Sequence, residues 1–498
     1  EIEKDPSNVY KYTNKSNLVA VISNGTAVLG LGDIGPAASK PVMEGKALLF
    51  KIFADIDVFD IEINEKDPDK FIEVVKAIST TFGGINLEDI KAPEAFKIEK
   101  ELVDQLDIPV MHDDQHGTAI ISAAALLNAL ELVDKNIKDV KIVVSGAGAA
   151  AIACTKLYLS FGAQLKNILM TDSKGVINKY REGLSKEKKF FASNRDINTL
   201  EQAMVDSDVF VGLSMANILS EKMLKTMARD PIVFAMANPD PEISYDKAMS
   251  AREDIIFATG RSDLPNQVNN VLGFPFIFRG ALDVRATKIN EEMKKAAVVA
   301  LAELAKKPVP EQVNIAYDET KLNFGKDYII PKPFDPRLIS EIPPAVAKAA
   351  IDSGVAQEPI TDWDKYTEIL DERLGNNQKL IRIIHRSARK VKEKKLVFTE
   401  ADHLDVLKAA QICFEEKIAE PILLGRKKII EELMESLDFN EDLQIIDPTD
   451  KANKELEKAL PYLEQALVIS PDDIFTKAAL KDAYVRLKMN DKLESLND

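Results

Sequence analysis

Cysteine is almost missing from this 498-residue sequence: only Cys154 and Cys413 occur, far apart and without metal-ligand spacing. That excludes a disulfide framework or a zinc site as the organising device and fits a reducing cytoplasm. Also missing is any apolar run of the roughly 18 residues needed to cross a bilayer, and nothing at the start reads as a signal peptide. Basic charge is in deficit, with 65 Lys and Arg against 81 Asp and Glu for a net charge of −16. This argues against a dedicated nucleic-acid or anionic-membrane surface. The chain opens on Glu-Ile-Glu-Lys-Asp without an initiator Met and is expected to be a fragment.

What is present is ordinary for a globular protein, 46% hydrophobic and 29% charged, and the length predicts roughly two to four domains. Residues 16–35 (SNLVAVISNGTAVLGLGDIG) read as two short buried strands with tight glycine turns. The spacing of Val42, Met43, Leu48, Leu49 and Ile52 predicts a helix from Pro41 to Phe53. IDVFDIEI and FGGINLEDI read as strands around a helix at 69–80, and a helix from Thr118 to Leu132 follows a loop at 111–117. From Asp139 the pattern alternates strand and helix (VKIVVSG, NILMTDS, DVFVGLS, PIVFAMANP, DIIFATG), which predicts a doubly wound, mostly parallel α/β domain. Helical stretches at 285–306 and 336–353 follow.

The boundaries expected are 1–135 for a substrate and metal domain, 136–353 for a Rossmann-like dinucleotide domain, and 354–377 for a linker. A small α/β fragment at 378–450 and a helical tail at 451–498 complete the chain. In the tail, Ala459, Leu463, Ala466, Leu467, Pro471, Leu480, Tyr484 and Leu487 read equally as a tetratricopeptide-like helix pair or as an amphipathic hairpin. On the repeat reading the tail takes a protein partner.

Two sets of residues carry chemistry. In KIVVSGAGAAAIAC, a strand runs into Gly146-x-Gly148-x-x-Ala151 and then into an Ala-rich helix. Gly146 permits the tight turn, Gly148 the approach of a pyrophosphate, and Ala151 close helix packing, while amides at the helix start, including Ala149 and Ala150, cradle the anion. Asp172 ends the next strand and is placed to accept from ribose hydroxyls, which favours NAD; Ser173 and Lys174 beside it leave room for the 2′-phosphate of NADP. The second set is acidic: Glu88-Asp89 in GGINLEDI and Asp113-Asp114 in VMHDDQHGTA. Carboxylate oxygens suit Mg²⁺ or Mn²⁺, which chelate a 2-hydroxy or 2-keto acid and stabilise the enolate of a decarboxylation. His112 and His116 are kept out of the metal ligands, with His116 read as a loop support.

GLGDIGPAASKPVMEGKALLFK, GGINLEDIKAPEAF, IPVMHDDQHGTAII, VVSGAGAAAIAC, FAMANPDPEI, ATGRSDLPNQVNNVLGFPFIFRGALD and PEQVNIAY together resemble a bacterial malic enzyme over about 1–375. LIRIIHRSARKVKEKKLVFTEADHLDVLKAAQICFEEKIAEPILLG resembles the start of a phosphotransacetylase-like domain, a combination characteristic of hybrid malic enzymes. The resemblance implies oxidative decarboxylation of L-malate to pyruvate and CO₂ with NADP or NAD and Mg²⁺ or Mn²⁺, and oxaloacetate decarboxylation. It also implies a homo-oligomer, a dimer or higher.

By resemblance, Lys46 is the general base, which requires its pKa to be lowered by burial or by a nearby metal and cofactor. Glu88, Asp89 and Asp114 are the implied metal ligands, Asp113 orients them, Asn238, Asn269 and Asn270 hold the malate carboxylate, and Asn238 also counts among the cofactor-binding residues. The loop of Gly30, Gly32 and Gly35 lines the same cleft. Departures follow. The family's proton-donating tyrosine, in an AYSPGVA-like motif, falls upstream of Glu1, and Tyr10 and Tyr12 are not in that motif, so weak activity is expected. Thr26 and Ala27 stand where eukaryotic-type members carry an arginine. The phosphotransacetylase-like resemblance lasts about seventy residues. The rival expectation is a catalytically impaired dinucleotide- and metal-binding scaffold whose tail serves protein interaction.

Overall fold

The computed structural model describes residues 1–28, 30–238, 240–317, 322–373, 394–415, 418–437, 439, 441–448, 455–470, 473–486, 489, 492 and 496. The LIRIIHRSARKVK stretch, the end of the expected linker, Pro471 and Leu487 therefore lie outside the described residues. The chain divides into two compact units, Glu1–Leu374 and Gly375–Asp498. Among the described residues no helix is long and apolar enough to cross a membrane.

The first unit is built on two sheets. A four-stranded, all-parallel sheet has the order β2-β1-β3-β4, with β1 at Leu18–Ser23, β2 at Asp57–Glu62, β3 at Gly84–Leu87 and β4 at Val110–His112. Strand β1 is buried along its whole length, as expected of an apolar strand covered on both faces. The expected second strand in 16–35 does not form: beyond Ser23 the chain is a loop with one isolated bridge, Val28 to Gly32. Gly30 and Gly32 sit at φ +74° and +76°, outside the strand region, so the glycines win over the β-branched Thr26 and Val28 that precede them.

A second sheet of six strands has the order β10-β9-β8-β5-β6-β7. Its strands are β5 Ile142–Ser145, β6 Ile168–Asp172, β7 Gly175–Val176, β8 Val209–Gly212, β9 Ile232–Ala235 and β10 Ile256–Thr259. All pairings are parallel except β6 with β7. This is the Rossmann-like arrangement, in which ligands bind beyond the carboxyl ends of the strands where the order reverses at β5.

Two helices differ from the sequence reading. The helix expected at Pro41–Phe53 spans Pro36–Ala54 and carries Pro41 inside it. Its buried stripe is Ser39, Met43, Lys46, Phe50, Phe53 and Ala54, while Val42, Leu48 and Ile52 are exposed. Apolar residues occur all round this helix, so periodicity selects the wrong face. The loop expected at 111–117 is instead β4 running directly into the helix Asp113–Leu132, which puts Asp113 and Asp114 in its first turn. Acidic side chains there complement the helix dipole. The rest of that helix is Ala-rich and buried nearly all round, so it sits centrally; its Ala119, Ala123 and Ala125 share one core with Val19 and Phe50 of the first sheet's side and Ile142 and Ala151 of the second's.

In the second unit, β11 Lys395–Phe398, β12 Glu420–Leu424 and β13 Gln444–Ile446 form a parallel three-stranded sheet. Alternation along β12 divides its core: Leu423 packs with Leu407, Ala410, Ile430 and Met434 of two helices, whereas Ile422 and Leu424 pack with the tail. The tail helices Glu455–Ile469 and Ile474–Arg486 bury Ala459, Leu463, Leu480 and Tyr484 against that second face.

The helix Pro36–Ala54 is held by an aromatic contact: Phe50 lies 4.7 Å from Phe274 and 5.5 Å from Phe278, ring centre to ring centre. Both rings belong to the helix Phe274–Asp283. Phe50 is fully buried, so Phe50→Ala is expected to cost about 3–5 kcal/mol. Urea denaturation should report this as a lower midpoint with an unchanged slope.

Candidate functional site

The carboxyl ends of β3 and β4 lie side by side, since Leu87 pairs with His112. Each strand is followed at once by two acidic residues, so the parallel register brings four carboxylates together. Glu88, Asp89 and Asp114 offer one oxygen each within 4.8 Å of one another, and Asp89 Oδ2 is buried with no hydrogen-bond partner. Asp89 adopts a left-handed φ of +53°, a conformation aspartate tolerates, and its N–H donates to Asp114 Oδ2 at 2.9 Å. Asn86 Nδ2 donates to Glu88 Oε2 at 2.8 Å. Thr26 supports the same turn: Ala27 N–H donates to Asp89 O at 2.9 Å and Lys91 N–H to the Thr26 hydroxyl at 3.0 Å.

Burial and mutual repulsion push these acids up: Glu88 to about 7, Asp89 to about 8, Asp113 to about 7 and Asp114 to about 6. Crowded, desolvated oxygens with an orphaned carboxylate atom fit a hard divalent cation, which supplies the missing charge and ligand partner. Among the described residues the cluster contains no histidine. His112 is fully buried and held near 4 by desolvation, hence neutral, and Glu99 receives both the His112 N–H at 2.8 Å and His116 Nε2 at 3.0 Å.

Lys46 reaches this cluster from the buried stripe of its helix. Its Nζ lies 2.6 Å from Asp113 Oδ2 and 2.9 Å from Glu88 Oε1, and 4.1 Å above the Phe274 ring. Burial alone lowers a lysine pKa, but Asp113 and Glu88 outweigh it and the net shift is upward. The expectation of a lowered pKa is thus not met by burial; the carboxylates hold the proton. Asp113 Oδ2 also accepts from Asn270 Nδ2 at 2.5 Å, so Asn270 joins the cluster. Asn269 uses its side-chain oxygen to cap the next turn at Val271. Asn238 sits on an exposed loop after β9, where its amide packs over Gly260.

Beyond β5, a cavity of about 810 Å³ is lined by Gly146, Gly148, Asp172, Lys188, Ser214 and Met215 among others, and on its other side by Ala92, Pro93 and Phe96, which follow the Glu88-Asp89 turn. Gly146 has φ +112°, and a Cβ there would lie 2.4 Å from Leu213 O, so only glycine fits. Gly148 caps the helix Ala149–Ser160, whose first turn holds Ala149 and Ala150, with Ala151 buried beneath. Asp172 lines this cavity as an ion-paired carboxylate: it is 2.8 Å from Arg181 and 3.1 Å from Lys188, and these partners outweigh burial to hold its carboxyl down at about 2. No spacing rule pointed to either cation. The glycine loop does not border this cavity; Gly35 lines a second one of about 520 Å³ with Pro36, Glu62 and Asn64.

The fold class is therefore a Rossmann-like α/β protein that carries a candidate metal centre and a dinucleotide-type turn. Comparison with known proteins places it further. The family described as "Malic enzyme, N-terminal domain" matches residues 2–103, "Malic enzyme, NAD binding domain" matches 115–318, and "Phosphate acetyl/butaryl transferase" matches 379–484. The third match takes in most of the tail helix pair. The NADP-dependent malic enzyme of Halomonas elongata is 58% identical over 359 residues, covering 72% of this chain and 85% of the relative. That of Salmonella typhimurium is 57% identical over 439 residues, 88% of this chain. The chain spans only 58% of the length of that relative. The crystal structure of malic enzyme from Pyrococcus horikoshii has a TM-score of 0.69 at 39% identity, over 78% of this chain and 88% of that one. The chain belongs to the malic enzyme family.

The acid cluster generates a pH signature. Glu88, Asp89, Asp113 and Asp114 titrate at about 6 to 8 when folded and near 4 when unfolded. The folded state then holds more protons across that window, so its stability falls as pH rises through it. In EDTA the melting temperature is expected to drop from about pH 5 to pH 8, and Asp89→Asn should flatten the profile. Saturating Mn²⁺ should reverse the drop; a profile indifferent to both changes would contradict the metal assignment.

Proposed function

We propose that this chain carries the catalytic machinery for oxidative decarboxylation of L-malate to pyruvate and CO₂ with reduction of NADP⁺. The observation that carries this reading is the Lys46 ammonium, buried and bonded to Asp113 and Glu88, in a carboxylate cluster whose turn leads on to Ala92, Pro93 and Phe96 of the cavity lining. Glu88, Asp89 and Asp114 would hold Mg²⁺ or Mn²⁺, and Asn270, with Asn238 and Asn269, would face the malate carboxylates. Bound there, a divalent cation would supply polarisation of the substrate's 2-oxygen, and a dinucleotide would supply the hydride acceptor for C2. With the charge of Glu88 taken up by a bound cation, burial would favour release of the ammonium proton to solvent, and the neutral Lys46 amine then takes the C2 hydroxyl proton. The C3–C4 bond of the resulting keto acid breaks to release CO₂, and the enolate left behind takes at C3 the proton that Lys46 removed from the hydroxyl. Asp113 keeps Lys46 in register through both steps by its bond to Asn270.

With malate, Mn²⁺ and NADP⁺, absorbance at the reduced-nicotinamide band should rise, and Lys46→Ala should lower the rate by roughly 10²–10⁴. Mn²⁺ and dinucleotide binding without any malate-dependent reduction would instead favour the scaffold reading.

NADP is proposed over NAD because Asp172 is already neutralised by Arg181 and Lys188, and Lys188 lines the cavity with Ser173. A 2′-phosphate there meets cations rather than a free carboxylate. Lys188→Gln is expected to raise KM for NADP⁺ about tenfold or more, the worth of one charge-assisted hydrogen bond, with NAD⁺ little affected. Equal changes for the two dinucleotides would refute this.

A homo-oligomer, dimer or higher, is proposed from the exposed Val42, Leu48 and Ile52 on the outer face of the Lys46 helix; sedimentation as a monomer would exclude it. The scarcity of cysteine, two residues far apart in the sequence and both buried, fits a reducing cytoplasm, which localisation of a fluorescent fusion elsewhere would exclude.

A further inference from the structure

Glu242 is a fully buried acid outside the metal cluster and outside the cavity lining, and the chemistry above makes no use of it. It lies three residues into the segment after Pro239, beyond the carboxyl end of β9. Its two oxygens are divided between two loops. Oε1 accepts from the Ser214 N–H at 3.0 Å, on the loop after β8, and Oε2 accepts from the Ala237 N–H at 3.1 Å, next to Asn238. Backbone bonds reinforce the pairing, with Asn217 N–H to Pro241 O at 3.1 Å and Leu219 N–H to Glu242 O at 3.0 Å. Gly212 makes the space: a Cβ there would lie 2.3 Å from the Glu242 carboxyl carbon.

The loop so held is the wall of the dinucleotide cavity. Leu213, Ser214, Met215 and Ile218 all line it. The Ser214 hydroxyl is also 3.0 Å from that of Ser145, at the end of β5, and Leu213 O is the atom that closes over Gly146. The turn of the dinucleotide motif therefore packs against a loop whose position depends on one carboxylate.

We propose that Glu242 is a positioning residue that staples the 213–218 loop to the Ala237–Asn238 turn and so sets the shape of the dinucleotide cavity. A buried carboxylate suits this task because it accepts two N–H donors from different loops at once, and bonds to an ionised group are stronger than neutral ones. A neutral amide of the same size keeps one bond and turns an N–H₂ group toward the other donor. The effect on the dinucleotide is indirect, through backbone position, which separates Glu242 from residues that touch the ligand.

The inference rests on the reading that this cavity binds a dinucleotide, so the test is equilibrium NADPH binding by the full chain, followed by fluorescence. Glu242→Gln is expected to weaken binding several-fold and Glu242→Ala roughly ten- to a hundredfold. Gly212→Ala, which pushes the carboxylate from the opposite side, should act in the same direction. Circular dichroism should stay unchanged in the Gln variant, and KM for NADP⁺ should rise more than kcat falls. Binding by Glu242→Gln within twofold of the unsubstituted chain overturns the proposal, whether or not the Ala variant folds. Failure of the unsubstituted chain to bind NADPH refutes the cavity reading itself and takes this inference with it.

Discussion

Taking an ammonium group out of water costs several kcal/mol unless opposite charge and hydrogen bonds replace the lost hydration. Lys46 meets that constraint with two carboxylates, Asp113 and Glu88, and with the face of Phe274. The three partners come from the starts or ends of three different elements, so the pairing holds only if all of them are in register. Removing Lys46 leaves four desolvated acids with no countercharge. The same crowding that raises the pKa of each acid makes the cluster receptive to a divalent cation.

That arrangement depends on how the first unit is joined. The helix Asp113–Leu132 starts at the acidic cluster and runs through the core shared by the two sheets. Its alanines permit close approach to the helix Ala149–Ser160, which begins at the dinucleotide-type turn. One rigid element thus fixes the distance between the carboxylates and the cavity beyond β5. The cavity in turn is walled by the 213–218 loop, held against Gly146 from one side and by Glu242 from the other. Positioning in this protein is done largely by backbone amides meeting carboxylates at strand ends, where parallel sheets leave unpaired donors.

Much of this was legible in the residues. The alternation from Asp139 onward predicted every long strand of the Rossmann-like sheet, because buried parallel strands are short apolar runs between turn signals. The acidic pairs and the GxGxxA turn were visible as residue types whose chemistry is local. Other features were hidden. The helix Pro36–Ala54 is apolar on both faces, so its buried stripe was misread. The HDDQHG segment reads as a loop although it begins a helix, since its polar residues serve the site rather than solvent. The ion pairs of Asp172 have no sequence signal, since Arg181 and Lys188, nine and sixteen residues on, fold back onto it. Glu242 gave no signal at all, because one glutamate after a proline is ordinary.

The sequence by itself determined the strand and helix types, the turn glycines, the family to which the chain belongs and the supply of acidic and basic groups. These are set by local stereochemistry and by residue identity. Only the tertiary structure decided which charges meet. It paired Lys46 with Asp113 and Glu88, neutralised Asp172, turned Asn269 into a cap and gave Glu242 two loops to hold. A pKa, an ion pair or a shared hydrogen bond depends on distance and burial, and both are fixed by the register of parallel strands remote in the chain.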